Sequence, residues 1–217
     1  MSEIITTYML SEPDQPMPMD REDFYIEQVA EFKATGKPTR AIEIMDLILF
    51  TPDKEIIVQK RSASKNHNPG LIDKAIGGHV TFGDRPDYTV MTETLQELQV
   101  PSIVLDNDDN FKRTFILLEK FINNAAIVQF IDTRIYDLVN VFKNGGPATI
   151  AKKIDLYFGV YGGPVRPADK EAAGIMFYKY DNLLEEIQNT PQMFTDDLKF
   201  FLSKYSAKIR EFLKQLD

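Results

Sequence analysis

The sequence contains no cysteine and no tryptophan in 217 residues, and only two histidines. Without cysteine there can be no disulfide, thiolate metal site or cysteine nucleophile, a composition that suits a reducing compartment. Positive charge is also scarce: 25 Lys and Arg stand against 33 Asp and Glu, a formal net charge of −8 at pH 7. Gripping a nucleic-acid duplex needs clustered Lys and Arg to neutralise phosphates, so no duplex partner is expected. Long apolar runs are missing too. No window approaches the roughly eighteen uncharged apolar residues of a membrane span, and MSEIITTYMLSEPDQPMPMD lacks the basic start and apolar centre of a secretory signal. These absences predict a cytoplasmic protein with no membrane partner. What is present is a globular composition, 43% hydrophobic and 27% charged, on a chain long enough to bury a sizeable core.

Strand and helix signals are mixed along the chain. The Pro-rich stretch EPDQPMPM at 12–19 predicts an extended arm over the first twenty residues. Asp20 then caps a helix whose Tyr25, Val29 and Phe32 fall at i, i+4, i+7, with Gly36 and Pro38 as its stop. Arm and helix, residues 1–39, are expected to precede a core domain over 40–217. AIEIMDLILF and EIIVQKRS read as a hairpin across the turn signal TPDK. SKNHNPGLIDK reads as a loop in which His67 is solvated, AIGGHV as a short strand, and PDYTVMTETLQEL as a helix opening at Pro86. Residues 106–126 fit an inserted helix or a long strand equally well. AIVQFIDTRIYDLVNVF reads as strand, FKNGGPATIAKK as a connection, IDLYFGVYGG and GIMFYKY as strands, and DNLLEEIQ as a short helix. At the end of the chain Leu198, Phe201, Leu202, Tyr205, Ile209, Phe212, Leu213 and Leu216 form one apolar stripe of a long helix capped by Thr195. That stripe suits the core or, with the N-terminal arm, a homodimer contact.

In the helix from Pro86, Met91, Leu95 and Leu98 lie at i, i+4, i+7 with Tyr88 a turn earlier, and this face is expected to pack on the sheet. Glu93 and Glu97 then point away from the core, with Gln96 on the flank. Such a pair is either a solvated helix face or two oxygen ligands for a hard cation such as Mg²⁺ or Mn²⁺. Spacing alone does not choose.

The wider segment GGHVTFGDRPDYTVMTETLQELQV resembles the Nudix box, G-x5-E-x7-R-E-U-x-E-E-x-G-U with U aliphatic. Gly78 takes the first glycine, Asp84 the first glutamate, Thr92 the arginine, Glu93 the next glutamate, Gln96 and Glu97 the Glu-Glu pair, Gln99 the last glycine and Val100 the aliphatic end. Upstream, Arg61, Lys65, Pro69, Gly70, Gly78 and His79 match the Arg-x-x-x-Lys, Pro-Gly and Gly-His of the branch that includes isopentenyl diphosphate isomerase. Downstream, Glu171 ahead of a strand and a short helix is similar to the family's closing pattern. The likeness covers roughly residues 40–187.

The resemblance implies an α/β (α+β) fold, a Nudix-type mixed β-sheet between helices, here with an N-terminal helical extension and a long C-terminal helix. It implies hydrolysis of a small diphosphate substrate, a nucleoside diphosphate linked to another moiety, assisted by Mg²⁺ or Mn²⁺. Glu93 and Glu97 become the catalytic pair, with Gln96, Asp84, His79 and Glu171 as further metal ligands. Arg61, Lys65, Gly77 and Gly78 become contacts to the diphosphate, and 104–126 and 142–153 the regions that select the substrate. Four letters depart from the box. Asp84 for Glu shortens a carboxylate, Thr92 for Arg loses a charge, Gln96 for Glu removes a ligand charge, and Gln99 for Gly puts a side chain where the turn needs positive φ. Those losses keep a second reading open, a catalytically weak or inactive Nudix-fold protein that binds a ligand. In the isomerase a catalytic cysteine stands immediately before the Gly-His. Here Gly77 holds that position, and a chain without cysteine cannot isomerise by that route.

Overall fold

The computed structural model describes residues 3–167 and 172–217. Among them the backbone forms a mixed sheet of ten strands, built around β3 (Arg40–Phe50). Ile42, Ile44, Ile48 and Phe50 on one face of β3 and Met45, Leu47 and Leu49 on the other are all buried, the pattern of a strand covered on both sides. β3 pairs in parallel with β9 (Gly146–Val160) and antiparallel with β4 (Glu55–Arg61) and β6 (Ile76–His79). Beyond β9 the sheet continues to β8 (Ala126–Phe142) and then β7 (Ser102–Leu105). Beyond β4 it continues to β10 (Ala172–Lys179), while β5 (Ile72–Lys74) also lies along β4.

Helices cover both faces. α2 (Pro86–Leu98) seats Val90 and Leu98 on a cluster with Met45, Leu47 and Leu49. On the other face α5 (Asp196–Lys204) and α6 (Ser206–Lys214) bring Phe201 and Phe212 into the larger cluster, where Phe212 packs against Phe50 and Phe158. Leu198, Phe201, Leu202, Tyr205, Ile209, Phe212 and Leu216 are buried, so the C-terminal stripe serves the core of the same chain. Its two helical segments meet at Tyr205, whose hydroxyl donates to Asp132 at 3.1 Å and shares a hydrogen bond with Tyr136 at 2.8 Å.

Two segments differ from the sequence expectation, and a third settles what it left open. The first twenty residues are a hairpin, β1 (Ile4–Met9) and β2 (Glu12–Asp20), and β1 joins β3. Pro16 and Pro18 are tolerated because β2 pairs only with β1 and needs no donors on its outer edge. α1 (Arg21–Thr35) is capped by Asp20 and stopped by a left-handed Gly36 as expected, and Ile5, Phe24 and Tyr25 are part of the larger buried cluster. Residues 106–126 contain α3 (Asp108–Leu118) and a short 3₁₀ turn. FKNGGPATIAKK is a tight turn at 143–145 and then strand β9, not a connection. Its Ala148, Ile150, Lys152 and Ile154 alternate into the buried face, and the long pairing with β8 holds them there.

Gln99 closes α2 in the left-handed conformation, at φ 57° and ψ 32°, where the box has glycine. A side chain there costs about 1–2 kcal/mol, partly offset by the greater unfolded entropy of glycine. Gln99→Gly is therefore expected to stabilise the fold by about 0.5–1 kcal/mol, read as a higher urea midpoint at unchanged slope.

Candidate functional site

A cavity of about 640 Å³ lies where α2, β6 and the loop after β4 converge. Arg61, Lys65, Gly77, Gly78, His79, Glu93, Gln96 and Glu97 all line it. Asp84 does not: it sits exposed in the turn before α2. Glu171 lies outside the described residues.

α2 turns inward a face rotated from the one its leucines suggest, and of the expected Met91, Leu95 and Leu98 only Leu98 is buried. Tyr88, Met91 and Leu95 are 52%, 41% and 56% exposed, while Val90, Thr94 and Leu98 are buried and Glu97 is only 7% exposed. Both faces have helical spacing, and two local facts decide between them. Thr94 satisfies its hydroxyl internally, donating to Met91 O at 3.1 Å and sharing a hydrogen bond with Ser102 at 2.9 Å, so it can be buried like an aliphatic residue. Gly78 of β6 leaves the space that Glu93 fills: a Cβ on Gly78 would lie 2.5 Å from Glu93 Oε1 and 2.6 Å from its Cγ. The two glutamates turn inward, toward the cavity. Thr92 is spent locally, its hydroxyl donating to Tyr88 O at 2.6 Å.

The floor of the cavity is a buried charge network that the sequence reading missed. Lys74 Nζ stands 2.9 Å from Asp46, 3.5 Å from Asp73 and 3.6 Å from Asp197. Lys152 Nζ donates to both Asp197 oxygens, at 2.9 and 2.7 Å. Asp73 also accepts from Thr195 Oγ1 at 2.7 Å and from Arg61 Nη1 at 3.2 Å. Burial would raise Asp73, but Lys74, Arg61 and the Thr195 hydroxyl outweigh it and hold the carboxyl at about 2. Burial wins at Asp46, which rises to about 6. The Lys74 ammonium, 2.9 Å from Oδ1, offsets that burial only in part, and neither Asp46 oxygen has a geometric hydrogen-bond partner. Gly77 makes the packing possible, since a Cβ would meet Asp46 Oδ1 at 2.8 Å and Lys74 Cε at 2.9 Å. Arg61 is partly consumed: besides Asp73, its Nε and Nη2 donate to His67 O at 3.2 and 3.1 Å.

Tyr25, from α1, closes another wall. Its hydroxyl shares a 3.0 Å hydrogen bond with His79 Nε2, whose other ring nitrogen lies 3.7 Å from Glu3. His67 is half-buried, not simply solvated. Its ring packs 4.1 Å from that of Tyr25 and 4.8 Å from that of Phe142, because Asn68 ties the loop to Val141. Burial first, then Arg21 and the neighbouring positive charges, hold His67 down at about 3 and His79 well below the usual histidine range. Both imidazoles are neutral at pH 7. The unfolded chain takes up protons below about pH 6.5 that the folded chain refuses, so the stability contributed by these two residues is full above that pH and lost as the pH falls toward 3. Ring-proton NMR of the chain's two histidines should show neither titrating between pH 8 and pH 5.

Among the described residues no three His, Asp or Glu side chains are grouped so as to hold a metal ion. The donors at Glu93, Gln96 and Glu97 fit a different arrangement, in which one or two carboxylates hold a hard cation and substrate oxygens and water complete its shell. His79 has Nε2 hydrogen-bonded to Tyr25 and Nδ1 3.7 Å from Glu3.

No protein-family model and no curated protein matches the chain. Solved structures do. The protein DR0079 from Deinococcus radiodurans is 14% identical over 75% of this chain and 82% of its own, with a TM-score of 0.54. The MutT protein from Methanosarcina mazei is 12% identical over 77% of this chain and 94% of its own, also at 0.54. A Nudix-family hydrolase from Clostridium perfringens, 14% identical over 81% of this chain and 97% of its own, scores 0.47, too loose a likeness to build on. The fold is thus the Nudix type, a mixed sheet between helices.

Proposed function

We infer that the chain is a Nudix-type pyrophosphohydrolase acting on a small cytoplasmic metabolite, a nucleoside diphosphate linked to another moiety, with Mg²⁺ or Mn²⁺. The observation that carries this reading is the convergence of Glu93, Gln96 and Glu97 with Arg61, Lys65 and the Gly77-Gly78 pair on one cavity. Hydrolysis adds water to one phosphorus of the P–O–P anhydride, breaks its bond to the bridging oxygen, and releases a proton. A divalent ion held by Glu93 and Glu97, with the Gln96 amide oxygen at its edge, would neutralise the anhydride oxygens and polarise the phosphorus. Glu97, the more enclosed of the pair, is the group assigned to take the proton from water. Arg61, through its remaining N–H groups, and the Lys65 ammonium orient the phosphates. The glycines let phosphate oxygens approach the backbone.

The test is release of monophosphate products from nucleoside diphosphate sugars, dinucleotides and nucleoside triphosphates with Mg²⁺ or Mn²⁺. Glu97→Gln is expected to lower kcat by about 100-fold or more while remaining folded. No turnover above that variant on any substrate would sink the reading. One observation favours ligand binding without turnover instead: Lys74 and Arg61 spend their charge on aspartates, and Thr92 supplies none. Thermal stabilisation by a diphosphate without metal, and without product, would select it.

A further inference from the structure

A second cavity, of about 330 Å³, lies at the start of α2 and plays no part in the reading above. Asp155 and Tyr157 of β9, Phe130 of β8, Asp106 at the end of β7, and Arg85 and Asp87 at the opening of α2 line it. Asp155 is 6% exposed, and its Oδ2 has no hydrogen-bond partner. A carboxylate this enclosed is normally paired with a cation or fully hydrogen-bonded. No ion pair to Asp155 exists among the described residues. Lys153, two residues before it on the same strand face, is held instead by Glu43 at 2.9 Å and Tyr8 at 2.8 Å.

The remaining walls narrow the chemistry of what would satisfy that carboxylate. Phe130 and Tyr157 meet edge to face, ring centres 5.5 Å apart, and give the cavity an aromatic side. At the rim Arg85 grips Asp87 with two hydrogen bonds, 3.1 and 2.9 Å, so those charges cancel. Asp106 accepts only from the neutral amides of Asn107 and Asn110, at 2.7 and 2.9 Å. Asp155 in the depth is buried without a cation, and Asp106 at the rim is exposed to solvent and also faces none. They do not belong to any group of three acidic or histidine side chains placed to hold a metal ion. An occupant with separated positive charges on an apolar body would match the two carboxylates and the aromatic side together.

We propose that this cavity binds an alkyl polyamine, with one ammonium on Asp155, a second toward Asp106, and the methylene chain against Phe130 and Tyr157. Burial pushes the Asp155 carboxyl up to about 6, against a Thr133 hydrogen bond that lowers it only in part. A bound ammonium supplies the counter-charge that the fold withholds.

Calorimetric titration with putrescine and spermidine tests this on the intact protein, with butylamine and Mg²⁺ as comparison ligands. The expected result is saturable one-to-one polyamine binding, weaker for butylamine, absent at this site for Mg²⁺, and reduced at least tenfold in Asp155→Asn. Asp155→Asn removes a buried charge that has no cation beside it and is expected to fold, and a thermal melt checks that. Phe130→Ala, which leaves the carboxylates in place, should also weaken binding several-fold. Glu97→Gln should bind polyamines like the unaltered chain, which separates this site from the hydrolase reading. Equal affinity of the unaltered chain and Asp155→Asn would show only general attraction to an acidic protein, and overturn the proposal, as would no binding at millimolar polyamine.

Discussion

Lys74→Met is expected to lower the free energy of unfolding by about 3–5 kcal/mol, the usual effect of removing one partner from a buried ionic group. The methionine keeps most of the volume and removes the charge that stands 2.9, 3.5 and 3.6 Å from three buried aspartates. Asp73 would keep Arg61 and Thr195, and Asp197 would keep Lys152, but Asp46, 1% exposed and with no hydrogen-bond partner, would keep nothing close. Since whole-domain stabilities are about 5–15 kcal/mol, the loss is a large fraction of the total. Lys152→Met should cost less, because Lys74 remains beside Asp197. Acidification from pH 7 to pH 5 should narrow the gap between Lys74→Met and the unaltered chain. Burial already sets Asp46 at about 6 with the lysine present, and its protonation removes the uncompensated charge. Urea unfolding at the two pH values measures both effects. A change below about 1 kcal/mol at pH 7, the scale of an exposed pair, would mean that the lysine is not enclosed among the aspartates.

Gly78→Ala is expected to act on function far more than on stability. The new methyl would sit 2.5 to 2.7 Å from three atoms of the Glu93 side chain, closer than packed atoms approach. Glu93 is only half-buried and can rotate away at small cost, but its carboxylate then leaves the place opposite β6. Misplacing one reacting or coordinating group by about 1 Å costs about 100-fold in rate, so kcat should fall by that order. The melting temperature should shift by no more than a few degrees. Gly77→Ala strikes the Asp46 and Lys74 side chains instead and should cost stability as well as activity. Comparing the two adjacent substitutions separates the glutamates from the charged floor beneath them.

Much of this architecture was legible in the sequence wherever the signal is local. The β3–β4 hairpin and the Asp20 cap and Gly36 stop of α1 follow from nearby residues, and Gly78, Glu93 and Glu97, singled out from one short stretch, line one cavity. The inward face of α2 was not legible, because Tyr88-Met91-Leu95 and Val90-Thr94-Leu98 both repeat at helical spacing. What separates them is the bare backbone of a different strand. The N-terminal hairpin was hidden for a similar reason, since its partner β3 lies about thirty residues downstream. The charged floor did carry a signal in the strand period. Asp46 is the lone charge among Ile42, Ile44, Ile48 and Phe50, and Lys152 the lone charge among Ile150, Ile154, Leu156 and Phe158. Two opposite charges on the inner faces of neighbouring parallel strands mark a buried network at the site.

The measurement that bears most directly on Glu93 and Glu97 is a Mn²⁺ titration, followed by electron paramagnetic resonance, with and without a non-hydrolysable nucleoside diphosphate analogue. A cation held by two carboxylates and completed by phosphate oxygens should bind weakly alone and at least tenfold more tightly with the analogue. Glu93→Gln and Glu97→Gln should each abolish that gain. If the analogue binds with the same affinity whether or not Mn²⁺ is present, and neither substitution alters it, the cavity is a phosphate pocket without metal chemistry and the hydrolase account is contradicted.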